Sequence, residues 1–138
     1  MRFQGRVYKN AGVWLAEVPV FDAMTQGRTR TESLEMIQDW FATMVNKRGF
    51  AVSIHVGKFG EFEVDSDDVR AMISLLLERR RQQSGLSLAE AAERLRVKSR
   101  NAYARYERGE SVPTLEKLDR LLKAVSRERG LVVTDSVV

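Results

Sequence analysis

Ser87-Leu88-Ala89-Glu90-Ala91-Ala92-Glu93-Arg94-Leu95, then Arg96-Val97-Lys98, then Ser99-Arg100-Asn101-Ala102-Tyr103-Ala104-Arg105-Tyr106-Glu107-Arg108-Gly109, is the stretch that decides the fold of this chain. Ser87 and Glu90 have capping-box spacing, so a helix starts at Ser87. Leu88, Ala91, Ala92 and Leu95 fall on one helical face, and the two alanines allow a second helix close by. Ser99 is a good N-cap for that second helix. Tyr103 and Tyr106, three apart, are expected to point inward with Ala102, and Gly109 suits the residue just past the helix end.

Working outward, Pro113 and Thr114 restart the chain into a helix with Leu115, Leu118, Leu121, Leu122 and Val125 on its apolar face. Upstream, Val69, Met72, Ile73, Leu76 and Leu77 form the face of another helix. Ser66 is its expected cap, and Asp67 and Asp68 suit the positive end of its dipole. Two short helices joined by a tight turn and flanked by two more make a helix-turn-helix layout, in which the second motif helix enters the DNA major groove. Its outward residues are expected to be Arg100, Asn101, Arg105 and Arg108. Arginine can grip guanine O6 and N7, and asparagine adenine N6 and N7, each with two hydrogen bonds. The bland alternative is a solvated charged face. Arg100 argues against it, because a cation near a helix N-terminus is mildly unfavourable.

From about Val69 to Val125 the chain resembles the Xre class of helix-turn-helix domains, similar to phage repressors. Tyr106-Glu107-Arg108-Gly109 followed by Pro113 carries that resemblance. It implies that Arg81, late in the preceding helix, pairs with Glu107 as a structural ion pair. It also implies that Arg100, Asn101 and Arg105 take base-reading positions, that Arg108 takes a phosphate position, and that Ser99 opens the reading helix beside them. Leu88 stands where the class often has a glutamine, and Arg96 where its turn usually has a glycine.

Residues 1–65 are organised differently. Phe3 to Lys9 and Val13 to Val18 read as a hairpin across Asn10-Ala11-Gly12. A short strand follows around Ala23 to Arg28. Thr29 and Glu32 have capping-box spacing ahead of a helix that buries Leu34, Ile37, Trp40 or Phe41, and Met44 or Val45. Phe50, Val52, Ile54 and Val56 alternate as a half-buried strand. Phe62 and Val64 allow one more short strand. The expected fold is α+β, a β-β-β-α-β sheet with one covering helix, followed by the all-α, lambda-repressor-like helix-turn-helix domain. The expected domains are 1–65, 66–126 and a tail, 127–138, in which Leu131-Val132-Val133 is a loose segment or a short partner-binding strand.

Charge follows the same division. Residues 1–65 hold eight basic and eight acidic side chains; the remainder holds fifteen and eleven, so the whole net charge of +4 lies in the helical half. A basic excess placed this way favours a nucleic-acid partner. There are no cysteines, which removes disulfides and thiolate metal ligands and fits a reducing cytoplasm. No apolar run approaches the roughly 20 residues of a membrane helix, and no secretion-signal pattern opens the sequence.

Catalysis is not expected. His55 is the only histidine and reads as a surface residue. Glu17, Asp22, Asp39, Glu61, Glu63 and Asp65 are carboxylates with no spacing that gathers them around a metal. Gly57-Lys58-Phe59-Gly60 reads as a turn, not a phosphate loop. No cofactor and no catalytic residue is assigned.

The order of the halves is also similar to the HicB family of antitoxins, through the two strands, Val18-Pro19, and Thr25-Gln26-Gly27-Arg28-Thr29 leading into a helix. That resemblance implies a truncated ribonuclease-H-like sheet that binds a HicA-like, messenger-RNA-cleaving toxin, and an Xre-type domain that represses the operon. It makes Glu17 and Asp22 the expected acids facing a basic toxin, with Phe21 and Met24 as apolar anchors or as core residues under the helix. Operator DNA, the toxin and a homodimer or homotetramer are the expected partners. The alternatives are a stand-alone repressor whose sheet senses a ligand or oligomerises, and, further off, a nuclease built on the sheet.

Overall fold

The computed structural model describes residues 1–126, 129–130 and 132–136. Two compact units emerge, Met1–Met72 with Asp135–Val138, and Ile73–Thr134.

The first unit contains β1 (Phe3–Asn10), β2 (Val13–Val18), a 3₁₀ turn (Pro19–Phe21), β3 (Ala23–Gly27), α1 (Arg30–Val45), β4 (Ser53–Val56) and β5 (Glu61–Asp65). The sheet order is β3-β2-β1-β5-β4, and every pairing is antiparallel. The expected β-β-β-α-β arrangement is therefore corrected to β-β-β-α-β-β. Glu61-Phe62-Glu63-Val64-Asp65 alternates strictly, and the two-residue turn Phe59-Gly60, both with positive φ, folds it back from β4. It then lies beside β1, with Phe3 opposite Val64 and Gly5 opposite Phe62. Gly5 suits that place because an added Cβ would sit 2.3 Å from the Phe62 ring. β4 is shorter than expected. Phe50 to Val52 lie outside it, and the Val52 carbonyl accepts from the Gln38 side chain at 3.1 Å.

Alternation decides the two faces of this sheet. Phe3, Val7, Ala16, Val18, Phe62 and Val64 are buried together with Ile37 and Phe41 of α1. Phe21 lies at their centre, edge-on to Phe3 at 4.8 Å and to Phe41 at 5.0 Å, an arrangement aromatic rings favour. Phe41, not Trp40, is the fully buried aromatic of α1. Thr29 caps α1 through Glu32 N–H at 3.0 Å. The Glu32 carboxylate, however, accepts from Arg28 N–H instead of closing the expected capping box on Thr29.

The helical elements are α2 (Val69–Gln83), α3 (Leu88–Arg94), α4 (Arg100–Glu107) and α5 (Leu115–Val125). The division between units falls inside α2, not after Asp65. Asp68 pairs with Lys47, and Ser66 donates to the Ala51 carbonyl at 2.7 Å, so the start of α2 belongs with the sheet. Asp68, not Ser66, caps α2, accepting from Ala71 N–H at 3.0 Å. In the second unit Ile73, Leu75, Leu76, Leu77, Ala91, Ala92, Tyr103, Ala104, Leu118, Leu121, Leu122 and Val125 are buried. Leu115, expected on the same apolar face, is exposed in the first turn of α5.

Three helices here end alike. After α2 the N–H groups of Gly85 and Leu86 bond to the carbonyls of Gln82 and Arg81; after α3, Arg96 and Val97 bond to Glu93 and Ala92; after α4, Gly109 and Glu110 bond to Tyr106 and Arg105. Each is a Schellman motif, which needs a left-handed residue. Gly85 and Gly109 supply it freely, whereas the α3 turn uses Arg96 at φ 56°. In the tail, Val132 and Val133 are exposed and in no strand, while Leu131 lies outside the described residues.

Candidate nucleic-acid interface

The helix-turn-helix is α3, the turn Leu95–Ser99, and α4. The predicted capping box at Ser87 is closed: Glu90 N–H donates to the Ser87 hydroxyl at 3.1 Å and Ser87 N–H to the Glu90 carboxylate at 2.9 Å. Ser99 occupies the N-cap of α4 with extended backbone, but its hydroxyl makes no capping bond.

The inward side of α4 is Tyr103 and Ala104, both buried. Ala102, expected to point inward, is exposed, and Ala104 takes its place beside Tyr103. Tyr106 is only half-buried. Ser99, Arg100, Asn101, Ala102, Arg105 and Arg108 are all exposed. Asn101, Arg105 and Arg108 recur at four- and three-residue steps, so they form one stripe along the helix. Ala102 lies beside that stripe and was missed by sequence reasoning. No local signal separates it from Ala104, because each alanine borders Tyr103 in the sequence.

A buried polar network holds this stripe in place. Arg81 donates from Nε to Glu107 Oε1 at 2.6 Å and from Nη2 to Oε2 at 3.0 Å, and its Nη1 reaches the Leu86 carbonyl at 2.9 Å. Tyr103 donates its hydroxyl proton to Glu107 Oε1 at 2.7 Å. The network joins the end of α2 to the end of α4. Hydrogen bonding to Glu107 holds the Arg81 guanidinium above its ordinary pKa, and burial, aided by the Glu107 charge, pushes the Tyr103 phenol strongly up. Ser74 adds a bond to the Tyr106 carbonyl at 3.0 Å.

At the same end of α4 Arg108 is held by Glu110, at 2.7 Å and 3.3 Å, and Arg105 lies 3.7 Å from the same carboxylate. The Arg108 pKa is raised and the Glu110 pKa lowered, in both cases chiefly by the hydrogen bond between them. This stripe offers guanidinium and amide groups for base edges, a methyl group at Ala102 for a thymine methyl, and cations for phosphates.

The residues expected to face a protein partner belong to the first unit; Glu17 is buried instead, and Phe21 takes its core alternative. Glu17 is 8% exposed and is ion-paired with Arg6, because cross-strand register sets Arg6 opposite it. Phe21 is 0% exposed and is the aromatic centre of the core. Asp22, in the left-handed region at φ 53°, and Met24, 55% exposed, are at the surface. The sheet face turned away from α1 carries a cavity of about 530 Å³ lined by Gln4, Arg6, Pro19, Phe59, Glu61 and Glu63. Phe59 at the turn is 99% exposed.

Two of the scattered carboxylates, Glu63 and Asp65, are held in polar contacts within the sheet unit. Glu63 is bound by Arg2 at 3.2 Å and by the Ser136 hydroxyl at 2.5 Å. Asp65 is 3.0 Å from His55 Nε2 and 3.4 Å from Arg2. His55 is thus a half-buried partner of Asp65, not the free surface residue expected from its strand phase. Among the described residues no three His, Asp or Glu side chains are grouped as metal ligands, and no helix is long and apolar enough to cross a membrane.

Residues 77–126 match the helix-turn-helix family model, of Xre type. No curated protein matches the chain. The matched span runs from the middle of α2 to the end of α5 and contains both the Arg81–Glu107 network and the exposed stripe. It supports a DNA-binding transcription regulator.

Proposed function

We propose that this chain is an antitoxin and autorepressor. Its helical unit reads an operator through Asn101, Ala102, Arg105 and Arg108, with Ser99 and Arg100 at the leading end of α4. Its sheet unit neutralises a small, basic, RNA-cleaving toxin of the HicA kind. The observation that carries the DNA half is the exposed stripe on α4, braced from behind by Arg81 and Glu107. The toxin half rests on the resemblance of the first unit to HicB antitoxins. Asp22 and Met24 remain its candidate contacts, and Glu61, exposed on the sheet face turned away from α1, joins them. Acids there suit a surface made for phosphates and would steer the encounter. No catalytic role is proposed for the sheet. A dimer or tetramer on a two-fold operator is proposed, because one such domain covers a single half-site.

The test uses the full chain and the reading frame beside it in the genome. Arg105→Ala should lose repression of the promoter while still rescuing cells from the neighbouring toxin. Asp22→Lys with Met24→Asp should keep repression and lose rescue. Loss of both functions in either variant would overturn this division of labour. A second reading, a repressor whose sheet unit senses a small ligand, is favoured by the 530 Å³ cavity. It prevails if no toxin gene adjoins the chain and promoter release follows a metabolite instead.

A further inference from the structure

Among the described residues, Glu110 is the acid that meets the exposed stripe of α4. Its position is set by the backbone. Gly109, at φ 70°, turns the chain back, and Glu110 N–H bonds to the Arg105 carbonyl at 3.0 Å. The carboxylate is thereby delivered to Arg108, which it engages with both oxygens, and to the edge of Arg105. A carboxylate gripping a guanidinium in this forked manner presents what a DNA phosphate presents: two anionic oxygens in the plane of the N–H donors.

An exposed ion pair of this kind adds little to the stability of the fold. Its consequence is for binding, since the cations it holds are those assigned to DNA. We infer that Glu110 is a built-in phosphate mimic that occupies Arg108, and reaches Arg105, until the DNA backbone displaces it. This inference rests on the DNA-binding reading above. The carboxylate therefore acts as a brake on sequence-independent binding. Non-specific association is almost wholly electrostatic, whereas base contacts from Asn101 and Arg105 add to the specific complex alone. Because Arg108 meets a phosphate in either complex, removing the brake strengthens non-specific and specific binding alike. Glu110 in this sense sets affinity and salt dependence without touching a base.

The experiment compares the parent chain, Glu110→Gln, Arg108→Ala and the Arg108→Ala/Glu110→Gln double variant. Each is titrated with a random-sequence duplex and with the chain's own promoter over a series of salt concentrations. Glu110→Gln should bind the random duplex about three- to tenfold tighter near 0.1 M salt, as expected when one more phosphate is neutralised, with a steeper salt slope. The gain on the promoter should be of similar size. In the Arg108→Ala background most of the gain should vanish, which a general change of net charge would not produce. Equal or weaker binding of the random duplex by Glu110→Gln would overturn the brake. So would a gain that persists undiminished without Arg108. Failure of the parent chain to bind either duplex would instead overturn the DNA-binding reading itself. Because Glu110 is exposed and its backbone bond is independent of its side chain, circular dichroism melts of the parent and Glu110→Gln should coincide.

Discussion

Arg81 and Glu107 meet as a two-pronged ion pair between the end of α2 and the end of α4, with N–O distances of 2.6 Å and 3.0 Å, and their side chains are only 14% and 9% exposed. Such a pair is a weak source of net stability but a costly one to break. Its desolvation has already been incurred, and either partner left alone is a charge without a counterpart. Tyr103 depends on it too, since its buried hydroxyl has Glu107 as acceptor.

Arg81→Ala and Glu107→Ala should each therefore cost about 3 kcal/mol, the lower end for a broken buried pair. The double variant should cost clearly less than the two together, because the second change removes an orphan the first created. Urea unfolding followed by helical circular dichroism measures both. Additive losses would mean that the pair is not a unit.

Arg96 is the reverse case, a residue whose replacement should help. It holds the left-handed position after α3 at φ 56°, a conformation that costs a residue with a Cβ roughly 1–2 kcal/mol. Arg96→Gly should keep the Schellman bonds of Arg96 and Val97 and stabilise the chain by about 1 kcal/mol, since glycine's added freedom in the unfolded chain offsets part of the relief. Gly109→Ala, at φ 70°, should destabilise by a similar amount. Thermal melts of the two variants should move in opposite directions.

On DNA, Asn101→Ala and Arg105→Ala should each cost on the order of 1–3 kcal/mol of promoter binding and relax preference at particular base pairs. Arg108→Ala should weaken promoter and random duplex alike and lower the salt slope by about one. Competition binding across single-base operator variants separates the two patterns. Uniform losses from Asn101→Ala would remove it from the base-reading set.

Acid should loosen the sheet unit in a defined direction. The hydrogen bond from His55, with help from Arg2, holds the Asp65 carboxyl below its ordinary pKa, and the Lys47 and Ala71 bonds do the same for Asp68. A group whose folded pKa is depressed contributes stability above its unfolded value, near 4 for aspartate. That stability is lost as pH falls from there through the depressed folded value. Asp65→Asn should flatten the dependence of stability on pH below about 4. Urea midpoints at a series of acidic pH values report this.

Local chemistry reaches far in this protein. The cap at Ser87, the position after α4 that suits Gly109, and the hairpin at Asn10 to Gly12 each follow from a few neighbouring residues, because helix ends and tight turns are closed by bonds spanning at most six residues. The boundaries of β2 were legible for the same reason: Val13 to Val18 alternates between punctuating residues. The basic stripe of α4 was legible in outline, since a helix fixes which residues share a face.

What sequence did not settle depends on partners distant along the chain. Glu17 and Phe21 have the composition of a contact surface, and only register, with Arg6 opposite Glu17 and the rings of Phe3 and Phe41 closing around Phe21, turns them inward. Phe62 and Val64 join β1 across the sheet, an association between segments some sixty residues apart that no local pattern specifies. Ala102 and Ala104 are chemically identical, and the fold alone chose which one faces outward. The sequence by itself determined the helices, the capping box at Ser87 and the basic residues that share one face of α4. The tertiary structure decided which side chains remained exposed, because burial is a property of the neighbours a residue acquires and not of the residue.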